Sequence, residues 1–240
     1  MDLKNLVISK DVIQDADTLP SDGGSKILPS GLYPMTVVLA YMQPSQTGAM
    51  GLHVHLKHGN PNNTLRQTFW LTSGTAKGQR NYFVDQQGIK RLLPGMKMAE
   101  ALSKITTDKS ISELETEEKT VRLYDYTAKA EVPTQVNALM DMIGKKVLVG
   151  VLDIVENRRV NQNGQWVNSN ERRQYNEVHT LFHPTGHTVT ENDAKAEAKF
   201  HETWRAKFEG KEINKFKPVN GAESVPEVTS GSTPPPSLFS

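Results

Sequence analysis

The chain has 240 residues, a formal net charge of +1, 36% hydrophobic residues and 7% aromatic ones. It contains no cysteine, which excludes disulfides, thiolate metal sites, iron–sulfur clusters and cysteine nucleophiles. No apolar run approaches the ~20 residues of a transmembrane helix, and Met1–Lys10 lacks the apolar segment and cleavage site of a secretory leader, so the expected setting is a reducing cytoplasm.

The near-neutral total hides a segregation. Residues 57–97 carry seven basic side chains against Asp85 alone, a local +6, and residues 144–175 carry six against three acids. The compensating acids gather in residues 1–22 and 108–118, each with five. Local patches of this kind, more than the total, steer a polyanion.

Residues 1–30, punctuated by Pro20, Gly23, Gly24 and Pro29, predict a flexible N-terminal arm. Tyr33–Met42, with Thr36, Val37 and Val38, predicts a buried strand. Gly51–His58 alternates, with Leu52, Val54 and Leu56 opposite His53, His55 and Lys57. Leu65–Thr72 alternates again, and the turn-rich stretch 58–63 between them completes a hairpin with one buried face. The basic segment 74–94 is longer than a simple connection needs. Met98, Ala101, Leu102 and Ile105 then repeat at helical spacing. Ser110-Ile-Ser-Glu113 is a capping box that opens a short acidic helix.

Lys119–Thr127 predicts a further strand, and Pro133-Thr134 the start of a third helix ending at Gly144. Lys146–Val160 is rich in β-branched residues. Asn163-Gly164 turns it into a partner running to Phe182, giving a hairpin long enough to project beyond the core. A helix start at Thr190–Asp193 continues into a face of Ala194, Ala198, His201, Trp204 and Phe208. From Pro218 the composition shifts to Pro, Ser, Gly and Thr, as in a disordered tail. The expected architecture is mainly β (α+β). It is an OB-fold five-stranded barrel over residues 31–217, with inserted helices, a long β-hairpin, a C-terminal helix and a tail at 218–240.

Aromatic residues interleave with positive charge in three segments. The polar face of the first hairpin carries His53, His55, Lys57, Arg66 and Trp70. The following loop adds Lys77, Arg80 and Tyr82, and the long hairpin adds Arg158, Arg159 and Arg172. A single nucleic-acid strand exposes flat bases, which stack on aromatics, and phosphates, whose counterions Lys and Arg displace. These nine charged or aromatic residues are the expected binding set: Lys57, Arg66, Trp70, Lys77, Arg80, Tyr82, Arg158, Arg159 and Arg172.

Other chemistry finds less support. Zinc could use His53, His55 and His58, or His179, His183 and His187, but Pro184 and Gly186 break the second set and no HExxH occurs. Gly74-Thr-Ala-Lys77-Gly78 does not match a P-loop, GxSxG is missing, and Glu113–Glu118 reads as a helix surface. The expectation is a protein that is not an enzyme and needs no metal or cofactor. Leu238 and Phe239, near the end of the polar tail, are the candidate partner-binding residues.

The segments 74–95 (GTAKGQRNYFVDQQGIKRLLPG) and 111–136 (ISELETEEKTVRLYDYTAKAEVPTQV) resemble single-stranded DNA-binding proteins of tailed bacteriophages. So do the Thr188–Glu191 helix start, Trp204 and Gly210-Lys211. The resemblance covers roughly residues 30–217. It implies an oligonucleotide-binding fold and sequence-independent binding of single-stranded DNA during phage replication, recombination or transcription, in the cytoplasm of an infected bacterium. The tail resembles partner-docking tails in its terminal apolar pair. This suggests contacts with a phage polymerase or other replication and transcription proteins, and a second role as an adaptor that recruits a polymerase to single-stranded DNA. Self-association on DNA is also compatible with the family, and a membrane partner is not expected. DNA and RNA are not distinguished by the residues themselves, because that choice rests on contacts near the 2′ position.

Overall fold

Alternating apolar and polar positions recur along the chain, and most of these runs become strand. The computed structural model describes residues 27–59, 64–125 and 128–219. The elements follow in chain order as β1 (Gly31–Pro44), β2 (Met50–Lys57), β3 (Thr64–Trp70), β4 (Tyr82–Val84), β5 (Lys90–Leu92), α1 (Pro94–Thr107), β6 (Glu117–Asp125), β7 (Ala130–Ala138), β8 (Lys146–Gln162), β9 (Gln165–Phe182), α2 (Val189–Asp193), α3 (Phe200–Phe208) and β10 (Glu212–Asn214). Short 3₁₀ turns occupy Thr75–Lys77, Ile111–Glu113 and Met140–Met142.

The fold is mainly β. One antiparallel path runs β8-β1-β2-β3, with β9 paired to β8 and the β6–β7 hairpin joined to β1. β10 adds to β8 in parallel, and β4 and β5 form a separate two-stranded hairpin. β3 and β9 share no backbone ladder among the described residues; the Val178 backbone N–H donates to Gln67 Oε1 at 3.4 Å instead. The sheet therefore has eight strands where five were expected, and among the described residues it does not close into a hydrogen-bonded barrel.

The period-2 pattern read from β2 and β3 holds. Leu52, Val54, Leu56, Phe69 and Leu71 are buried against α1, which contributes Ala99, Leu102 and Ile105. The β-branched start of β8 (Val147, Val149, Val151) and Val178 and Leu181 of β9 complete this core. A second cluster joins Leu152, Ile154 and Phe182 to Trp204 of α3. Gly150 makes that cluster possible, since a Cβ there would lie 3.0 Å from the Trp204 indole and 2.6 Å from Thr180 Cγ2.

Four expectations need correction. The predicted helix from Pro133 to Gly144 is strand β7, followed by a 3₁₀ turn. Val132, Thr134, Val136 and Ala138 alternate along it. Pro133 lacks an N–H, yet β7 meets β1 only at Ala138 and Asn137, so at Pro133 it is an edge strand that tolerates the missing donor. The capping box at Ser110 is present, but it caps one 3₁₀ turn and no longer helix.

The single helix expected from Thr190 to Phe208 is instead α2 and α3, separated at residues 194–199. One side chain serves both starts: Glu191 accepts from the backbone N–H groups of Thr188, Lys199 and Phe200 at 2.8–3.0 Å. These hydrogen bonds, Thr188's first, hold its carboxyl at about 2. Fourth, Val38 is not buried. A bulge between Val37 and Leu39 turns it outward to 40% exposure and moves Tyr41 onto the opposite face.

The segment ends are partly pinned. Leu28 exchanges hydrogen bonds with the Asn176 side chain, and the buried Ser30 hydroxyl accepts from the Asp153 backbone N–H, so these residues of the expected arm belong to the body. Lys217 and Val219 are held by the Asn157 and Asn170 side chains along the β8–β9 hairpin. Residues 1–26 and 220–240, with Leu238 and Phe239, lie outside the described residues. Among the described residues no helix is long and apolar enough to cross a membrane.

Candidate nucleic-acid interface

The register of β2 and β3 decides which polar side chains share a face. Gly51 pairs with Trp70, His53 with Thr68, His55 with Arg66 and Lys57 with Thr64. Lys57, Arg66 and Trp70 therefore stand on one face, as expected, with the two histidines between them. The bulge in β1 adds Tyr41, which pairs with His53. The Tyr41 and His53 rings stack at 4.9 Å and 12°, and Trp70 meets His53 edge-on at 6.3 Å. An aromatic row thus crosses three adjacent strands.

Trp70 lies over Gly51, where a Cβ would come within 3.0 Å of the indole ring. The glycine gives the ring a flat seat, yet Trp70 stays 44% exposed. Its outer face is open. Tyr41, at 5% exposure, supports His53 from beneath.

This floor is weakly charged at neutral pH. Burial holds His53 below the usual histidine range, and Thr68 Oγ1 sits 3.1 Å from its Nδ1. Burial, with the adjacent Arg66 and His53, brings His55 down to about 4. Both rings are therefore biased towards the neutral form at pH 7. Positive charge comes from Arg66 and Lys57, and Arg66 has no carboxylate partner among the described residues.

Lys77, Arg80 and Tyr82 sit on the segment that leaves β3 just after Trp70. It is tied to the β1–β2 turn, with the Thr75 N–H donating to Thr47 O at 2.9 Å and Gln79 Nε2 to Gly48 O at 2.9 Å. Lys77 and Arg80 are exposed. Tyr82 is half-buried and carries Lys90 Nζ 4.9 Å from its ring centroid. The small β4–β5 hairpin exposes Phe83, Val84, Ile89 and Leu92 beside these charges.

The arginines of the long hairpin form a separate group. Arg158 pairs with Glu171 at 3.0 Å, Arg159 donates to the Trp166 carbonyl at 3.0 Å, and Arg172 lies over the Phe216 ring at 5.2 Å. Trp166, at 60% exposure, is the most open aromatic side chain of the described residues. No hydrogen bond, ion pair or ring contact of the described residues links this group to the β2–β3 face.

Sequence reasoning missed Tyr41, because a bulge changes strand parity without a residue-type signal. It also missed the β6–β7 hairpin as part of the site. That hairpin stands over the β2–β3 face and encloses a cleft of about 500 Å³, which Tyr41, His53, His55, Arg66, Leu123 and Val132 help to line. The histidines build no metal centre: among the described residues no group of three or more His, Asp or Glu side chains is placed to hold an ion. His179 accepts instead from the Trp204 indole, and His183 and His187 both contact the Thr185 hydroxyl at 2.8 Å. The chain matches no protein-family model, no curated protein and no solved structure.

Proposed function

We propose that the protein is a non-enzymatic, sequence-tolerant single-stranded DNA-binding protein built on an OB-type barrel. It coats and protects exposed strands during phage replication, recombination or transcription. The observation that carries this reading is the β2–β3 face, where the open Trp70 ring continues a row of neutral aromatic side chains bordered by Arg66 and Lys57. Bases stack on Trp70, while Arg66, Lys57, Lys77 and Arg80 neutralise phosphates. What supports the barrel is the order β8-β1-β2-β3, with α1 between β3 and the β8–β9 hairpin in the chain.

Fluorescence anisotropy with labelled single-stranded DNA, duplex DNA and RNA at two salt concentrations tests this. The expected outcome is preference for single strands over duplex. With about four phosphate contacts the log–log salt slope is about −3. Equal affinity for duplex and single strand sinks the reading.

A further inference from the structure

We propose that the cleft between the β2–β3 face and the β6–β7 hairpin is a nucleobase pocket, which takes one base of the bound strand and gives the protein a base preference. The inference rests on the single-strand reading and deepens it.

β7 pairs with β1 only at Ala138–Tyr41 and Asn137–Met42. Beyond these two positions the hairpin continues as a free-standing ladder, with Leu123 opposite Val132 and Val121 opposite Thr134. The cleft beneath it, about 500 Å³, falls within the range of roughly 300–1,000 Å³ usual for small-molecule sites.

Its two sides differ in chemistry. On the hairpin side Leu123 and Val132 supply an apolar patch among Arg122, Tyr124, Asp125 and Thr134, and His53, His55 and Thr68 supply a polar floor. A nucleobase has the same division, apolar on its faces and polar along its edge. A base lying against Leu123 and Val132 turns its edge towards the imidazoles. His53 has Nδ1 engaged by Thr68, which leaves Nε2. The His55 ring makes no hydrogen bond among the described residues. Each neutral imidazole carries one donor and one acceptor, so the pair can complement a Watson–Crick edge. Arg66 borders the same floor, where the attached phosphate would lie.

The experiment compares anisotropy titrations of the full chain with labelled dT, dC and dA 12-mers at one salt concentration. The unmodified protein should bind the three with clearly separated affinities, beyond the modest preferences that stacking alone gives. Leu123→Trp fills the cleft and His55→Leu removes its hydrogen-bonding edge. Both should collapse that spread, whereas Trp70→Ala should weaken all three oligonucleotides about equally and preserve it. If Leu123→Trp fails to fold by circular dichroism, His55→Leu decides alone. A retained spread in the folded cleft variants overturns the pocket and leaves the single-strand reading intact. Equal affinity of the unmodified protein for all three oligonucleotides does the same. No binding to any oligonucleotide overturns both.

Discussion

The chain builds a histidine–tryptophan pair twice and uses the two in opposite ways. Trp204 and Trp70 each lie across a strand glycine, Gly150 and Gly51 respectively, and each neighbours a histidine. Trp204 is 2% exposed, and its indole N–H donates to His179 Nδ1 at 2.9 Å. Helix α3 brings this ring onto β8, and Phe208 packs beside it at 5.2 Å. Trp70 has a similar glycine seat, but α1 packs through Gly95 against its backbone and not over its ring, which remains 44% exposed. A buried indole that spends its N–H on a protein acceptor is structural. An open one, on the same strand face as Arg66, which has no carboxylate partner among the described residues, is available to a ligand.

The comparison breaks most visibly under truncation. Trp204→Ala should cost about 3–5 kcal/mol of stability, the usual range for removing a core tryptophan. It should leave the DNA affinity of the remaining folded protein unchanged; denaturant unfolding and anisotropy read the two effects separately. Trp70→Ala should do the reverse, losing about 1–3 kcal/mol of binding free energy with a far smaller shift in the unfolding midpoint.

A smaller effect belongs to the hydrogen bond between His179 and Trp204. Burial depresses the His179 pKa below its ordinary value, more than Glu177 raises it, with Lys207 and Lys215 adding to the depression. The neutral ring accepts from Trp204, so protonation removes that bond and places two donors face to face. A depressed folded-state pKa gives stability that is fully present above about pH 6.5 and is lost as pH falls through the folded value. Thermal midpoints measured from pH 8 down to pH 5 should show this loss together with that of His53 and His55, which burial also depresses, and His179→Gln should remove only the His179 share. A hydrogen bond of this kind is worth about 1 kcal/mol.

The smallest expected effects concern the arginines. Arg66→Gln should make the log–log salt slope of single-strand binding shallower by about 0.7, one phosphate contact. Arg158→Gln should leave the slope unchanged, since Glu171 already neutralises that guanidinium. A change in the second slope as large as in the first would bring the long hairpin into the interface.

Much of this was legible in the residues. The alternation in β2 and β3 fixed which of their side chains share a face, and the β-branched run and Asn163-Gly164 marked the long hairpin. The aromatic row as a whole was not legible, because the bulge at Val38 reverses the parity of β1 and only then brings Tyr41 beside His53. The hairpin over the cleft was hidden by Pro133. Proline reads as a helix start unless the strand is known to be an edge. The α2–α3 break was hidden because one carboxylate, Glu191, caps both helices across eight intervening positions or fewer. The arginines of the long hairpin were visible as charge, but their engagement by Glu171, the Trp166 carbonyl and Phe216 follows only from strand register and the path of the C-terminal segment.

The most direct test of the central claim is intrinsic fluorescence during titration with oligo-dT, compared across the unmodified protein, Trp70→Phe and Trp166→Phe. The account predicts quenching that added salt reverses, that Trp70→Phe largely abolishes and that Trp166→Phe largely retains. Quenching that is unchanged in Trp70→Phe, or reproduced at the same concentration by duplex DNA, would contradict it.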